Sequence, residues 1–145
     1  MFQPYTSGVL PLDCSWRGPS NGLTWEPRLD VSLAYKGFES NRIRALVDSG
    51  SVATIFDASV GERLGIPIRS GASERLQGFS KTDDTLIYFH DVPLLVAGAS
   101  VRTKVGFCFG LPVTALLGRH GFFEHFRVTF DPARMGMQID RVLRE

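Results

Sequence analysis

The feature that most constrains this chain is a short rhythm of apolar alternation broken by turn residues. Leu29-Asp30-Val31-Ser32-Leu33-Ala34-Tyr35 alternates apolar and polar side chains with period two. Successive residues of a strand point to opposite faces, so this pattern marks a half-buried strand. Gly37 and Ser40-Asn41 supply a turn, and Ile43 to Val47 reads as the return strand. Val52–Phe56, Val92–Val96, Val101–Phe107 and Val113–Leu117 follow as short apolar strands. Ala97 to Ser100 joins the middle pair. Arg127–Phe130 and Met137–Ile139 close the sheet. Leu76 to Phe89 reads as a hairpin with a polar tip, Ser80 to Asp84. Turn signals recurring roughly every 8–12 residues point to an all-β barrel-like domain. Helix is confined to short pieces. Asp57 caps one that runs through Leu64, where Gly65 stops it and Pro67 prevents its continuation. Gly118 opens a turn into a second, ending at Phe126. Phe122, Phe123 and Phe126 sit at near-helical spacing and are read as core.

The chain has 145 residues, enough for one domain and one hydrophobic core. Residues 1–27 are rich in Pro, Gly and Ser without periodicity and read as an irregular N-terminal arm; 28–145 is the folded domain. Sixteen basic and 15 acidic side chains give a net charge of +1, so no basic surplus points to nucleic acid or an anionic membrane. No stretch approaches the roughly 20 apolar residues of a membrane helix. Met1 to Tyr5 lacks the positive cluster and apolar run of a signal peptide. Cys14 and Cys108 make no disulfide framework and read as reduced thiols of a cytoplasmic protein. His90, His120 and His125 form no ligand-spaced set with one another or with cysteine, so neither a metal nor another cofactor is expected.

The chemistry concentrates in Ala45-Leu46-Val47-Asp48-Ser49-Gly50-Ser51. Three apolar residues run directly into an acid, a hydroxyl residue and a glycine. Such a segment buries a strand up to Val47 and then turns sharply, which Gly50 permits. A carboxylate at the end of a buried strand is a candidate catalytic acid, and Ser49 can hydrogen-bond to fix the turn. Ser49 and Ser51 are not nucleophile candidates, since no elbow motif surrounds them. Asp83-Asp84 reads as a solvated turn and Asp57 as a cap. Further along stands a second element, Thr114-Ala115-Leu116-Leu117-Gly118-Arg119.

Together, Leu46-Val47-Asp48-Ser49-Gly50-Ser51 and Leu116-Leu117-Gly118-Arg119 resemble the retropepsin family, the single-domain aspartic peptidases of retroviruses and their cellular and bacterial relatives. The resemblance covers about residues 28 to 141. It implies a retropepsin-like acid-protease barrel, with Asp48 as catalytic acid and Ser49, Gly50 and Ser51 completing the active-site turn. Leu116, Leu117, Gly118 and Arg119 would pack across that turn as structural support. The hairpin would be the flap over bound peptide, with Leu76, Gln77, Gly78, Phe79 and Ser80 in it. The sequence departs from the family in three places. Many relatives carry a second Asp four residues after the first, paired to the Arg of the later motif; here Val52 stands there, and Arg119 needs another partner. His120 replaces a frequent Asp or Asn. Gly78 is the only glycine between Leu76 and Phe89.

One Asp triplet implies two chains. Acid hydrolysis of an amide by this route uses two carboxyls about 3 Å apart that share a proton. The chain is about half a two-lobed pepsin-like enzyme in length. The second carboxyl then comes from a two-fold mate. The expected activity is endopeptidase cleavage of an extended peptide or protein by a homodimer. The alternative is an inactive dimerisation or peptide-binding module on the same fold. A glycosidase with two carboxylates in one chain would need a second buried acid, and none is evident.

Overall fold

The computed structural model of the protein describes residues 8–11, 13–17, 23–76, 85–134 and 136–142. The first strands are β1 (Gly8–Pro11), β2 (Asp13–Arg17) and β3 (Leu23–Glu26). Then come β4 (Arg28–Tyr35), β5 (Phe38–Glu39), β6 (Ile43–Val47) and β7 (Ile55–Asp57). Helix α1 (Ala58–Arg63) and the 3-10 turn η1 (Ile68–Ser70) precede β8 (Ala72–Leu76), β9 (Thr85–Val96) and β10 (Ala99–Cys108). The chain closes with β11 (Ala115–Leu117), β12 (Phe126–Asp131), the 3-10 turn η2 (Pro132–Arg134) and β13 (Gly136–Arg141).

The expected all-β barrel is present. The main sheet runs β5-β4-β6-β11-β7-β10-β9-β8, and β4 also pairs with β9. That extra ladder, Val31↔Val96 to Leu33↔Leu94, closes β4-β6-β11-β7-β10-β9 into a barrel. Closure needs strands that bury one face, and β10 does so, alternating buried Val101, Thr103 and Val105 with exposed Arg102 and Lys104. The core gathers Leu33, Phe56, Leu94, Phe107, Leu117 and Phe122, all fully buried.

Several local expectations change. Three strands fall within residues 1–27, the segment read as irregular. β1 pairs with β13, a partner at the far end of the chain that no local period reveals. β12 and β13 therefore belong to a separate sheet, β1-β13-β12, instead of closing the barrel sheet. Val92–Val96 is the end of one 12-residue strand that continues back through the hairpin arm to Thr85. The helix expected after Gly118 is a set of turns over 121–125. Its amide bonds, Phe126 to the Phe122 carbonyl at 3.1 Å among them, make one turn before Phe126 is drawn into β12. Phe122 and Phe126 are core residues as expected, stacked with ring centroids 5.1 Å apart. Among the described residues no helix is long and apolar enough to cross a membrane.

Candidate active site

Asp48 follows β6 directly. Its amide donates to the Leu117 carbonyl at 2.9 Å, extending the parallel ladder in which Leu46 meets Leu116 and Val47 meets Leu117. The apolar run Ala45–Val47 is thus fixed between β4 and β11, and the chain leaves it only at the acid. The Gly50 amide then donates to Asp48 Oδ1 at 2.9 Å, and the Ser51 amide to the Asp48 carbonyl at 3.1 Å. These bonds close an Asx-type turn that orients the carboxylate. A Cβ on Gly50 would lie 3.1 Å from Asp48 Oδ1, so the absence of a side chain there keeps the carboxylate where it is. Ser49 and Gly50 are exposed and Asp48 is partly buried.

The second motif meets the first directly. Ser51 is buried, and its hydroxyl donates to the Ala53 carbonyl at 2.7 Å. The Arg119 and His120 amides donate to the Ser51 and Val52 carbonyls, each at 2.9 Å. Gly118 lies so close beneath that a Cβ on it would sit 2.2 Å from the Ala53 carbonyl oxygen. Leu116 and Leu117 are buried below the turn. The structure therefore brings together Asp48, Ser49, Gly50 and Ser51 with Leu116, Leu117, Gly118 and the backbone of Arg119. The Arg119 side chain points to solvent and meets no carboxylate among the described residues. Of the flap set, Leu76 ends β8 opposite Thr85, which makes β8 and β9 the two arms of one hairpin. Gln77, Gly78, Phe79 and Ser80 lie outside the described residues.

One residue of this arrangement escaped the sequence reading. Thr54 is fully buried, and its hydroxyl donates to the His120 carbonyl at 2.9 Å while accepting the Gly118 amide at 3.1 Å. It ties the two motifs together through a single side chain. The available signal was a hydroxyl residue inside the apolar run Val52–Phe56, which must find partners if buried. A small apolar cluster of Ala53, Ile55, Ile87 and Cys108, with Phe89 and Leu111 against it, links the same segment to the base of the hairpin arm. A cleft of about 600 Å³ opens beside Val52 and Ala53 and is lined further by Phe89, Lys104 and His120; Asp48 lies outside it. No group of three or more His, Cys, Asp or Glu among the described residues could hold a metal ion.

Barrel, hairpin and Asp turn together define a retropepsin-like acid-protease fold. The chain is similar in structure to a retropepsin-like aspartic protease from Rickettsia conorii, with TM-score 0.60, 12% identity and 97% of each chain covered. It is also similar to the retroviral protease-like domain of Ddi1 from Leishmania major, with TM-score 0.53, 17% identity, 80% of this chain covered and 94% of that one. At these identities the likeness is one of fold. The chain matches no protein-family model and no curated protein.

Proposed function

We propose that the chain is an aspartic endopeptidase that acts as a homodimer, with the Asp48 carboxyls of two copies forming the catalytic pair. The observation that carries the reading is the Asp48 turn itself, with its carboxylate held by the Gly50 amide and its backbone held by Leu117. One carboxylate of such a pair takes a proton from water and the other, protonated, donates to the scissile carbonyl oxygen. Both roles need a carboxyl whose rotation is restricted, and the 2.9 Å bond to Gly50 restricts it. A single chain carries one such turn, and a two-fold axis beside it supplies the second. The substrate is an extended peptide lying between the turn and the β8–β9 hairpin, paired through its backbone. A cytoplasmic location is part of this reading and is supported by a two-cysteine composition with Cys108 free and buried.

A second reading, a peptide-binding module without catalysis, is favoured by Val52. It is 48% exposed beside the turn and offers no carboxylate to Arg119 or to a substrate amide.

The test is cleavage of an unfolded protein mixture between pH 4 and 7 by the wild type and by Asp48→Asn, with the oligomeric state measured on the same samples. Cleavage by a wild-type dimer that the variant loses is the expected result. A confirmed dimer without cleavage would transfer the reading to the binding module.

A further inference from the structure

Two charged side chains of opposite sign flank the Asp48 turn, and each keeps hydrogen-bonding capacity that no described residue takes up. The first is Glu26. The Val47 amide donates to the Pro27 carbonyl at 2.8 Å, and Arg28 stands opposite Leu46 in the β4–β6 ladder. Glu26 ends β3, opposite Asp13 of β2, and the antiparallel register, if carried past Pro27, would set it opposite Asp48. Residues opposite each other, and residues two apart along a strand, share one face of a sheet. On that register Glu26 and Arg28 stand on the face that carries Leu46 and Asp48. Their own contact agrees with this placement: Arg28 Nε and Nη2 both reach Glu26 Oε2, at 2.7 and 2.6 Å. The other carboxylate oxygen, Oε1, has no partner among the described residues.

The second is Arg119. Its amide is fixed to Ser51, three residues beyond Asp48, while its side chain is exposed with no hydrogen bond or ion pair among the described residues. The neighbour across the backbone bridge, Val52, has no charge to offer. The nearest acid along the chain, Glu124, is already engaged: it accepts the Gly121 amide at 2.7 Å and pairs with His120 at 3.7 Å. Carboxylate and guanidinium thus border the same turn from opposite sides and do not meet in one chain.

Resting on the homodimer reading above, we propose that Glu26 of one copy pairs with Arg119 of the other across the two-fold axis at the Asp48 turn. A two-fold contact is reciprocal, so each dimer holds the pair twice, once on either side of the catalytic centre. Arg28 fixes the Glu26 carboxylate from below and leaves Oε1 for the mate. The guanidinium fork suits a carboxylate presented edge-on, which lysine would not match. The pair would set the distance between the two Asp48 turns, and Arg119 would find in the second copy the acid that Val52 does not provide.

The test mixes two variants, Glu26→Gln and Arg119→Gln. Each alone removes both intersubunit pairs and is expected to weaken the dimer roughly fivefold or more, measured by analytical ultracentrifugation. In a heterodimer of one E26Q protomer and one R119Q protomer, one complete pair survives. Heterodimers are therefore expected above the statistical share in native mass spectra of the mixture. An ion pair made within one chain gives no such excess, because neither variant retains both partners. A wild-type dimer with heterodimers at the statistical share would overturn the proposal and leave the homodimer reading intact. A wild type that stays monomeric at every concentration would overturn both. Far-ultraviolet circular dichroism of each variant, expected to match the wild type, separates loss of the pair from loss of the fold.

Discussion

Gly118 and Thr54 show how much of the site rests on single atoms. A methyl group at residue 118 would sit 2.2 Å from a carbonyl oxygen of the segment that carries Ser51 and Ala53. Backbone cannot swing aside as a side-chain tip can, so Gly118→Ala must separate the two motifs. We expect it to lower stability by about 3 kcal/mol or more in urea unfolding and, on the proposed peptidase reading, to abolish cleavage. Thr54→Val keeps the shape and removes the hydroxyl, leaving the Gly118 amide without an acceptor. The expected loss is about 1–3 kcal/mol, because an unmade buried hydrogen bond costs more than a made one contributes. Equal stability of wild type and T54V would show that the hydroxyl bridge is dispensable. Cys108 gives a prediction in pH. Burial, and then the Asp57 carboxylate, push its thiol above the ordinary range. The folded chain thus keeps a proton that the unfolded chain releases. The associated stability is complete below the ordinary thiol range and is lost as pH rises through and beyond it. Stability of Cys108→Ala, less at neutral pH through the lost packing, should fall less steeply on the alkaline side than that of the wild type. Parallel curves would contradict this.

Elements were legible where their signal is local. The alternation in Leu29–Tyr35 and the turn residues after it marked β4 and the return strand β6 nearly to the residue, and the apolar run into Asp48-Ser49-Gly50 marked the turn. The cap of α1 was equally local: Asp57 accepts the Ser59 amide at 3.1 Å and also meets the Ser59 hydroxyl. Asp57→Ala should cost about 1 kcal/mol, read as a lower midpoint in thermal unfolding. It should also bring the Cys108 thiol down toward its ordinary range, since one of the two causes of its rise is removed. Faster alkaline labelling of Cys108 in the folded variant would be the sign. What the sequence concealed has its partner far away. The parallel ladders β6–β11 and β10–β7 join segments separated by long stretches of chain. Thr54 is defined by residues 118 and 120, and Glu26 by a register that begins in β4. The turns after Gly118 mimic a helix because Phe122 and Phe126 are four apart; the pull of β12 on Phe126 is a tertiary effect no periodicity contains.

At the scale of the whole molecule, two sheets of different construction share one core. The barrel has its own closure through β4 and β9, whereas β13 lies between β1 and β12 in the smaller sheet. Met137 and Ile139 on β13 are fully buried in the core that also holds Leu33 and Phe107. β1 thus covers one edge of a strand whose side chains belong to the domain centre, with register Gly8↔Ile139 to Pro11↔Gly136. Removing residues 1–11 would leave that edge of β13 with unpaired amides and carbonyls, while every ladder of the barrel keeps its partners. Hydrogen exchange should therefore quicken by about tenfold or more at the amides of 136–139 that faced β1, as expected for a local opening. Exchange in β10, paired on both sides by β7 and β9, should stay close to wild type. An uncovered strand edge is also a template for another chain, so the truncated protein should self-associate more strongly at high concentration than the full chain. Unchanged exchange at 136–139 would mean that β1 contributes nothing to that edge. Equal acceleration in β10 would mean that the two sheets open as one cooperative unit, and that the first strand stabilises the barrel beneath the Asp48 turn as much as the strand it touches.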